Sequence, residues 1–359
     1  MDSAGLFIKT AVIALISFQA MLLIVRGRRI PAVGPALGFI YCLICYMICT
    51  MTGPVRPMPL WKYPVAVGCM GVPFFFWLLS RALFDDHFRP RAVHWLIFAG
   101  VQVLSFAKAL KIPAALFIAA ESNALLREIL RPFPQIISLV FVIHALGLAY
   151  TGIKADLLED RRKLRIIFII AVGVYTVIVL LFEVMLKGRA VPGGLELVHA
   201  VIFLLLTVTC MLRMNTLEQG IFFAKPAPAK SPPEPDKVLD EKLSKLLVED
   251  GAFRNEGLTV RSLAEDLGLP EYKLRRHINH ALGYRNFNDF LNHYRVREAQ
   301  RMLRDPEHRD LAILRMAMDL GYGSLAPFNR AFRRIAGMTP TEYRAGKEIA
   351  PTPAENDKS

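Results

Sequence analysis

The chain has 359 residues, room for two or three domains, and 54% of them are hydrophobic. That fraction, with a positive mean hydropathy, excludes an ordinary soluble protein and calls for a membrane part. The formal charge of +13, from 44 basic and 31 acidic residues, suits either nucleic acid or an anionic membrane surface and does not separate them.

Residues 5–25 form an apolar segment of about the 20 residues a helix needs to cross a bilayer, closed by Arg26, Arg28 and Arg29. A cleavable signal peptide would place its positive charge before the apolar core and mark the cut with small residues, and this segment does neither. It is expected to be an uncleaved first span. Further spans are predicted at 33–52, 64–84, 93–111, 133–153, 165–186 and 194–213, seven in all. Lys108, Lys111 and Pro113 interrupt the fourth, and Ile112 to Ala120 either extends it or re-enters.

Basic residues crowd the connections after the first, third and fifth spans: Arg26, Arg28 and Arg29; Arg89 and Arg91; Lys154, Arg161, Arg162, Lys163 and Arg165. The alternate connections hold fewer, namely Arg56 and Lys62, Arg127 and Arg131, Lys187 and Arg189. The positive-inside rule then places the N-terminus outside an inner membrane and the C-terminus in the cytoplasm.

Ionisable groups inside spans are costly and invite a functional reading; the candidates are His94, His144, Glu183, Glu196 and His199. In one reading His144, Glu183 and His199 line an intramembrane pocket that senses a ligand, a proton or a metal. In the other they bond to neighbouring helices, or Glu183 and Glu196 sit near the interface. Cys42, Cys45 and Cys49 share a helix face, and packing at a helix contact accounts for them better than thiolate ligation, since no second Cys or His pair has zinc-site spacing. The VPFFFWLL stretch reads as lipid-facing or packing surface. All five cysteines lie in apolar runs, which argues against an extracellular disulfide framework. No glycine-rich phosphate loop, nucleophile elbow or paired catalytic carboxylates occur, so neither an enzyme nor a cofactor is expected.

Between Lys225 and Asp236 runs KPAPAKSPPEPD, whose five prolines favour extended polyproline II and form a spacer. A soluble helical part opens at Val238. Residues 241–347 hold 19 Lys and Arg against 14 Asp and Glu, a net of +5. Met316, Ala317 and Leu320 recur at helical intervals, Gly321 permits a tight turn, and Ser324 suits the N-cap of a second helix. In that helix Phe328, Phe332 and Ile335 share one face, while Asn329, Arg330 and Arg333 lie away from it. The pattern occurs twice. Ala264 and Leu267 recur 53 positions later as Ala317 and Leu320, and Leu274, Ile278 and Gly283 recur 54 positions later as Phe328, Phe332 and Gly337. Two copies of one helix-turn-helix argue for two adjacent grooves of DNA.

On these residues, Leu258 to Arg344 resembles the DNA-binding domain of the AraC/XylS family of bacterial transcription regulators. The run GYGSLAPFNRAFRRIAGMTPTEYR carries the second unit, and NFNDFLNHYRVREAQRML carries the long helix that connects the two. The likeness covers about a quarter of the chain. Pro270 stands where the family often has Ser or Thr, and Pro327 sits in the first turn of the second reading helix; both are tolerated there. Alkylation-repair proteins with similar domains need a reactive cysteine nearby, and this part has none. The resemblance implies phosphate or base contacts by Arg276, Arg330 and Arg333, groove-facing support from Tyr272, Lys273, Asn279 and Asn329, and core roles for Leu274, Ile278, Phe328 and Phe332.

The fold expected is all-α: a transmembrane helical domain over 1–220, a proline-rich linker over 221–237, a double helix-turn-helix DNA reader over 238–347 and a tail without fixed structure over 348–359. The function expected is that of a membrane-embedded, one-component transcription regulator. Double-stranded DNA, the bilayer, RNA polymerase, a second copy of the chain and an unidentified small-molecule or envelope signal are its expected partners, although no long heptad supports pairing. Two rivals stand beside it: a membrane enzyme or transporter with an appended DNA-binding domain, and an inert membrane tether for that domain.

Overall fold

The computed structural model describes residues 3–27, 32–52, 59–106, 133–186, 198, 201–202, 204–205 and 237–346. The spacer, the tail and His199 lie outside them, as does the stretch that would extend the fourth span. Among the described residues the chain is helical and has no strand beyond one isolated bridge. It divides into two compact units, residues 1–152 with 163–227 and residues 153–162 with 228–359.

The first unit contains α1 (Ser3–Gly27), α2 (Val33–Thr52), α3 (Lys62–Phe84), α4 (Ala92–Phe106), α5 (Phe133–Gly152) and most of α6 (Glu159–Leu186). Small residues set its closest helix contact. A methyl group added at Gly38 would meet the Phe75 ring, and one at Gly68 or Gly71 would meet the sulfur of Cys45 or Cys42. Cys42 and Cys45 are buried in this α2–α3 seam, which fits the packing reading of the cysteines. The aromatic run of α3 also turns inward: Phe74 packs against Phe98 of α4 and Phe141 of α5, with ring centroids 5.0 and 5.8 Å away.

Of the seven spans expected, three are found among the described residues, not seven. Among the described residues three helices are long and apolar enough to cross a membrane: Gly5–Val25, Val33–Thr52 and Lys62–Phe84. The apolar stretches Ala92–Val103 and Ile136–Gly152 are shorter. The α6 helix opens on the charged run EDRRKLR, and its later side chains, like most of 194–213, are outside the described residues.

The second unit begins with α7 (Lys237–Ser244), continues through a wide turn at Lys245–Glu249 and a short turn at Ala252–Arg254, and then alternates short and long helices. These are α8 (Val260–Asp266), α9 (Glu271–His280), α10 (Phe287–Arg304), α11 (Ile313–Asp319), α12 (Leu325–Ala336) and α13 (Pro340–Arg344). Local chemistry explains their ends. Thr259 and Ser262 form a reciprocal capping box at α8, Asn286 caps α10 by accepting from the Asn288 N–H at 2.8 Å, and Thr339 with Glu342 boxes α13. One apolar core runs through the unit and includes Leu243, Leu247, Phe287, Phe290, Val296 and Ala299 besides the two helix pairs. Leu157, from the segment between α5 and α6, is buried in the same core.

Candidate nucleic-acid interface

The repeat read from the sequence is a repeat in space. Leu263 and Ala264 of α8 are buried as Met316 and Ala317 of α11 are, and Leu274 and Ile278 of α9 are buried as Phe328 and Phe332 of α12 are. Gly268 and Gly321 make the turn within each pair at φ of 65° and 81°, and Gly283 and Gly337, both at 77°, follow each second helix. An L-residue resists that left-handed backbone, which is why glycine recurs there.

Burying one face decides what the other presents. On α12 the sealed residues Phe328, Ala331, Phe332 and Ala336 leave Asn329, Arg330 and Arg333 exposed. On α9 the buried Leu274 and Ile278 leave Tyr272, Lys273 and Arg276 exposed, Tyr272 at 62%. Ser324 stands at the N-cap of α12 but its hydroxyl makes no cap bond, and Pro270 at the N-cap of α9 offers none. Both reading helices therefore open with first-turn N–H groups that side chains do not satisfy. Two short helices with aliphatic or aromatic undersides and guanidinium groups outward can neutralise phosphates and reach base edges in a major groove.

Asn279 is in a different position. Its side chain is half-buried and its amide donates to the Tyr284 carbonyl at 2.8 Å, which pins the turn after α9. The neighbouring arginines also differ in role. Arg334 binds Asp289 of α10 at 2.7 Å and fixes α12 to the connecting helix, while Arg333 beside it points outward.

The connecting helix carries further residues that sequence reasoning did not single out. Arg295 of α10 is buried; its Nε–H donates to the Phe253 carbonyl at 2.7 Å, its Nη2 donates to the Asn255 carbonyl at 3.0 Å, and its guanidinium lies over the Tyr322 ring at 5.1 Å. The Tyr322 hydroxyl donates to Asn292 Oδ1 at 2.9 Å. Burial pushes the Tyr322 phenol up to about 12, against the opposing pull of Arg295 and then Arg334. In the first helix pair, His277 meets Asp240 of α7 at 2.7 Å. Glu271–Arg275 and Arg261–Glu265, both spaced i,i+4 on a helix, are pairs whose spacing the sequence carries.

Of the intramembrane candidates, His144 accepts a hydrogen bond at Nδ1 from the Trp77 indole at 2.8 Å. His94 accepts the Arg91 N–H at 2.9 Å and so closes the start of α4. Both bonds are of the kind that joins or ends helices. The side chain of Glu183 and all of His199 lie outside the described residues. No cluster of metal-ligating side chains occurs among the described residues.

Comparison with known proteins bears on the second unit. Residues 263–346 match the helix-turn-helix domain family. Over 120 residues, a third of this chain, it is 30% identical to an uncharacterized HTH-type transcriptional regulator of Staphylococcus aureus. Over 91 residues, a quarter of this chain, it is 29% identical to the probable transcription factor PqrA of Proteus vulgaris. The chain spans about 15% of the length of the Staphylococcus relative and 71% of the Proteus one. No solved structure matches. The C-terminal part of this chain is thus an AraC-type helix-turn-helix domain, of a kind shared with transcription regulators.

Proposed function

We propose that the protein is a membrane-embedded transcription regulator that binds promoter DNA through α9 and α12 and is controlled by a signal received in its membrane part. The observation that carries this reading is the doubled unit with buried undersides and exposed basic faces. Arg276, Arg330 and Arg333 contact phosphates or bases, and Tyr272, Lys273 and Asn329 support them; Asn279 holds the fold of the first unit. The membrane domain spans 1–220, the proline-rich linker 221–237, the DNA reader 238–347 and the tail 348–359, the reader lying on the cytoplasmic side of an inner membrane with the N-terminus outside. Membership of residues 153–162 in the reader's compact unit supports that sidedness, because the positive-inside rule assigns the same segment to the cytoplasm.

The test is crosslinking of the full-length protein to the chromosome, followed by immunoprecipitation and sequencing, beside the Arg330→Ala/Arg333→Ala double variant. Discrete sites in the wild type that fade in the variant are expected. An absence of discrete sites in the wild type would refute sequence-specific regulation.

A further inference from the structure

Residues 153–162 end about 75 positions before the DNA reader begins at Val238, and Asp156 lies 119 positions before Arg275, yet they belong to its compact unit. They lie along the backbone that follows α9. The Phe287 N–H donates to the Ala155 carbonyl at 2.8 Å and the Leu157 N–H to the Arg285 carbonyl at 3.1 Å, so that Asp156 faces Asn286 across an antiparallel bridge. The α9 helix takes part through Arg275, whose Nη1 donates to the Asp156 carbonyl at 2.6 Å and whose Nη2 donates to the Lys154 carbonyl at 3.1 Å. Beneath the bridge Asp156 and Arg161 form an ion pair at 2.6 Å with both side chains buried, and Arg161 Nη2 donates to the Arg285 carbonyl at 3.4 Å. Leu157 completes the attachment by entering the reader's core.

The same helix then continues into the other unit. The boundary between units falls at Arg162 and Lys163, inside α6. One turn after Arg161, the buried Arg165 donates to the Phe84 carbonyl at 2.9 Å and the Leu148 carbonyl at 3.0 Å, at the ends of α3 and α5. Two buried arginines at i and i+4 therefore give the first turns of α6 an anchor within each unit. Docking leaves Tyr272, Lys273 and Arg276 exposed, so it holds α9 without covering its reading face.

We infer that residues 153–162 are a transmitter, docked on Arg275 and the Arg285–Phe287 edge, through which the membrane part holds the first helix-turn-helix unit in its DNA-reading state. This rests on the DNA-binding reading above. A signal that shifts α5 or α6 draws the segment off α9, and promoter occupancy falls.

The test uses the full-length protein in its membrane and the Asp156→Ala/Arg161→Ala double variant, which removes the buried pair without leaving one charge alone. A Leu157→Ala variant, which loosens the attachment from the apolar side, runs beside it. Hydrogen exchange is read at the amides of Leu157, Phe287 and α9, and occupancy is read at the sites the wild-type protein enriches. Both variants are expected to speed exchange by about tenfold or more and to lower occupancy by about tenfold, with exchange in α12 unchanged. Faster exchange at unaltered occupancy would overturn the inference by showing a segment that packs without governing reading. Unaltered exchange would overturn the docking itself. If the wild type enriches no site, the DNA-binding reading and the transmitter's role fail together, and exchange still reports separately whether the segment docks.

Discussion

The two helix-turn-helix units share their core positions and their turn glycines, yet they are fastened by different chemistry. The second is held from beside, by the connecting helix: Arg334 on Asp289, Tyr322 on Asn292, and Arg295 between Tyr322 and the carbonyls of Phe253 and Asn255. The first is held by pieces distant in sequence, Asp240 on His277 and residues 154–157 on Arg275 and the Arg285–Phe287 edge. A repeated fold thus carries one unit built for constancy and one whose supports reach outside the repeat. The outer faces follow the same division, with three exposed arginines on α12, one of them Arg334 paired with Asp289, and a tyrosine, a lysine and one arginine on α9.

The turns give the sharpest contrast. A methyl group added at Gly321 would collide with the Arg254 carbonyl, and φ there is 81°, whereas Gly268, at 65°, has open space around it. Gly321→Ala is expected to destabilise the second unit by about 3 kcal/mol or more, and Gly268→Ala the first by about 1 kcal/mol. Denaturant midpoints of the two full-length variants measure the difference; equal losses would mean that the two turns are not distinguished by packing. Next come the reading faces. Arg330→Ala or Arg333→Ala is expected to weaken binding to an enriched promoter by about 1–3 kcal/mol where the contact is to a base, or to lower the salt slope by about one where it is to phosphate. Arg276→Ala does the same for the first unit, and unchanged affinity in all three would contradict the chosen faces.

Much of this contrast was out of reach of the sequence, for reasons that particular residues make plain. The period of apolar residues and the spacing of glycines report local geometry, so the repeat, the buried Leu274, Ile278, Phe328 and Phe332, and the exposed Arg330 and Arg333 could all be read. Arg333 and Arg334 are adjacent in sequence but about 100° apart around a helix, and only the position of α10 decides that Arg334 meets Asp289. Asn279 had the polarity and spacing of a groove residue, and its bond to Tyr284 depends on how the chain turns after α9. Asp156 lies 119 positions before Arg275, beyond any periodic signal. Three of the seven expected spans are found among the described residues, and much of the fourth, sixth and seventh falls outside them.

Smaller effects refine the comparison. Asn279→Ala is expected to lower the stability of the first unit by about 1 kcal/mol through the lost hydrogen bond, without changing the salt slope of DNA binding. A reduced slope with intact stability would return Asn279 to the interface. In the second unit, burial raises the Tyr322 phenol from its ordinary value near 10 to about 12. The unfolded chain therefore loses that proton first, so the stability Tyr322 contributes is complete below pH 10 and drains away as pH rises from 10 to 12. Tyr322→Phe should flatten that part of the stability profile, and an identical alkaline loss in the variant would assign it elsewhere.

The central claim is that both units read DNA together. A hydroxyl-radical footprint of the full-length protein on an enriched promoter tests it most directly. Two protected segments are expected, about one helical turn or 10 base pairs apart, with Arg330→Ala/Arg333→Ala erasing one and Arg276→Ala weakening the other. A single protected segment, lost as a whole on either substitution, would contradict a protein that reads two successive grooves.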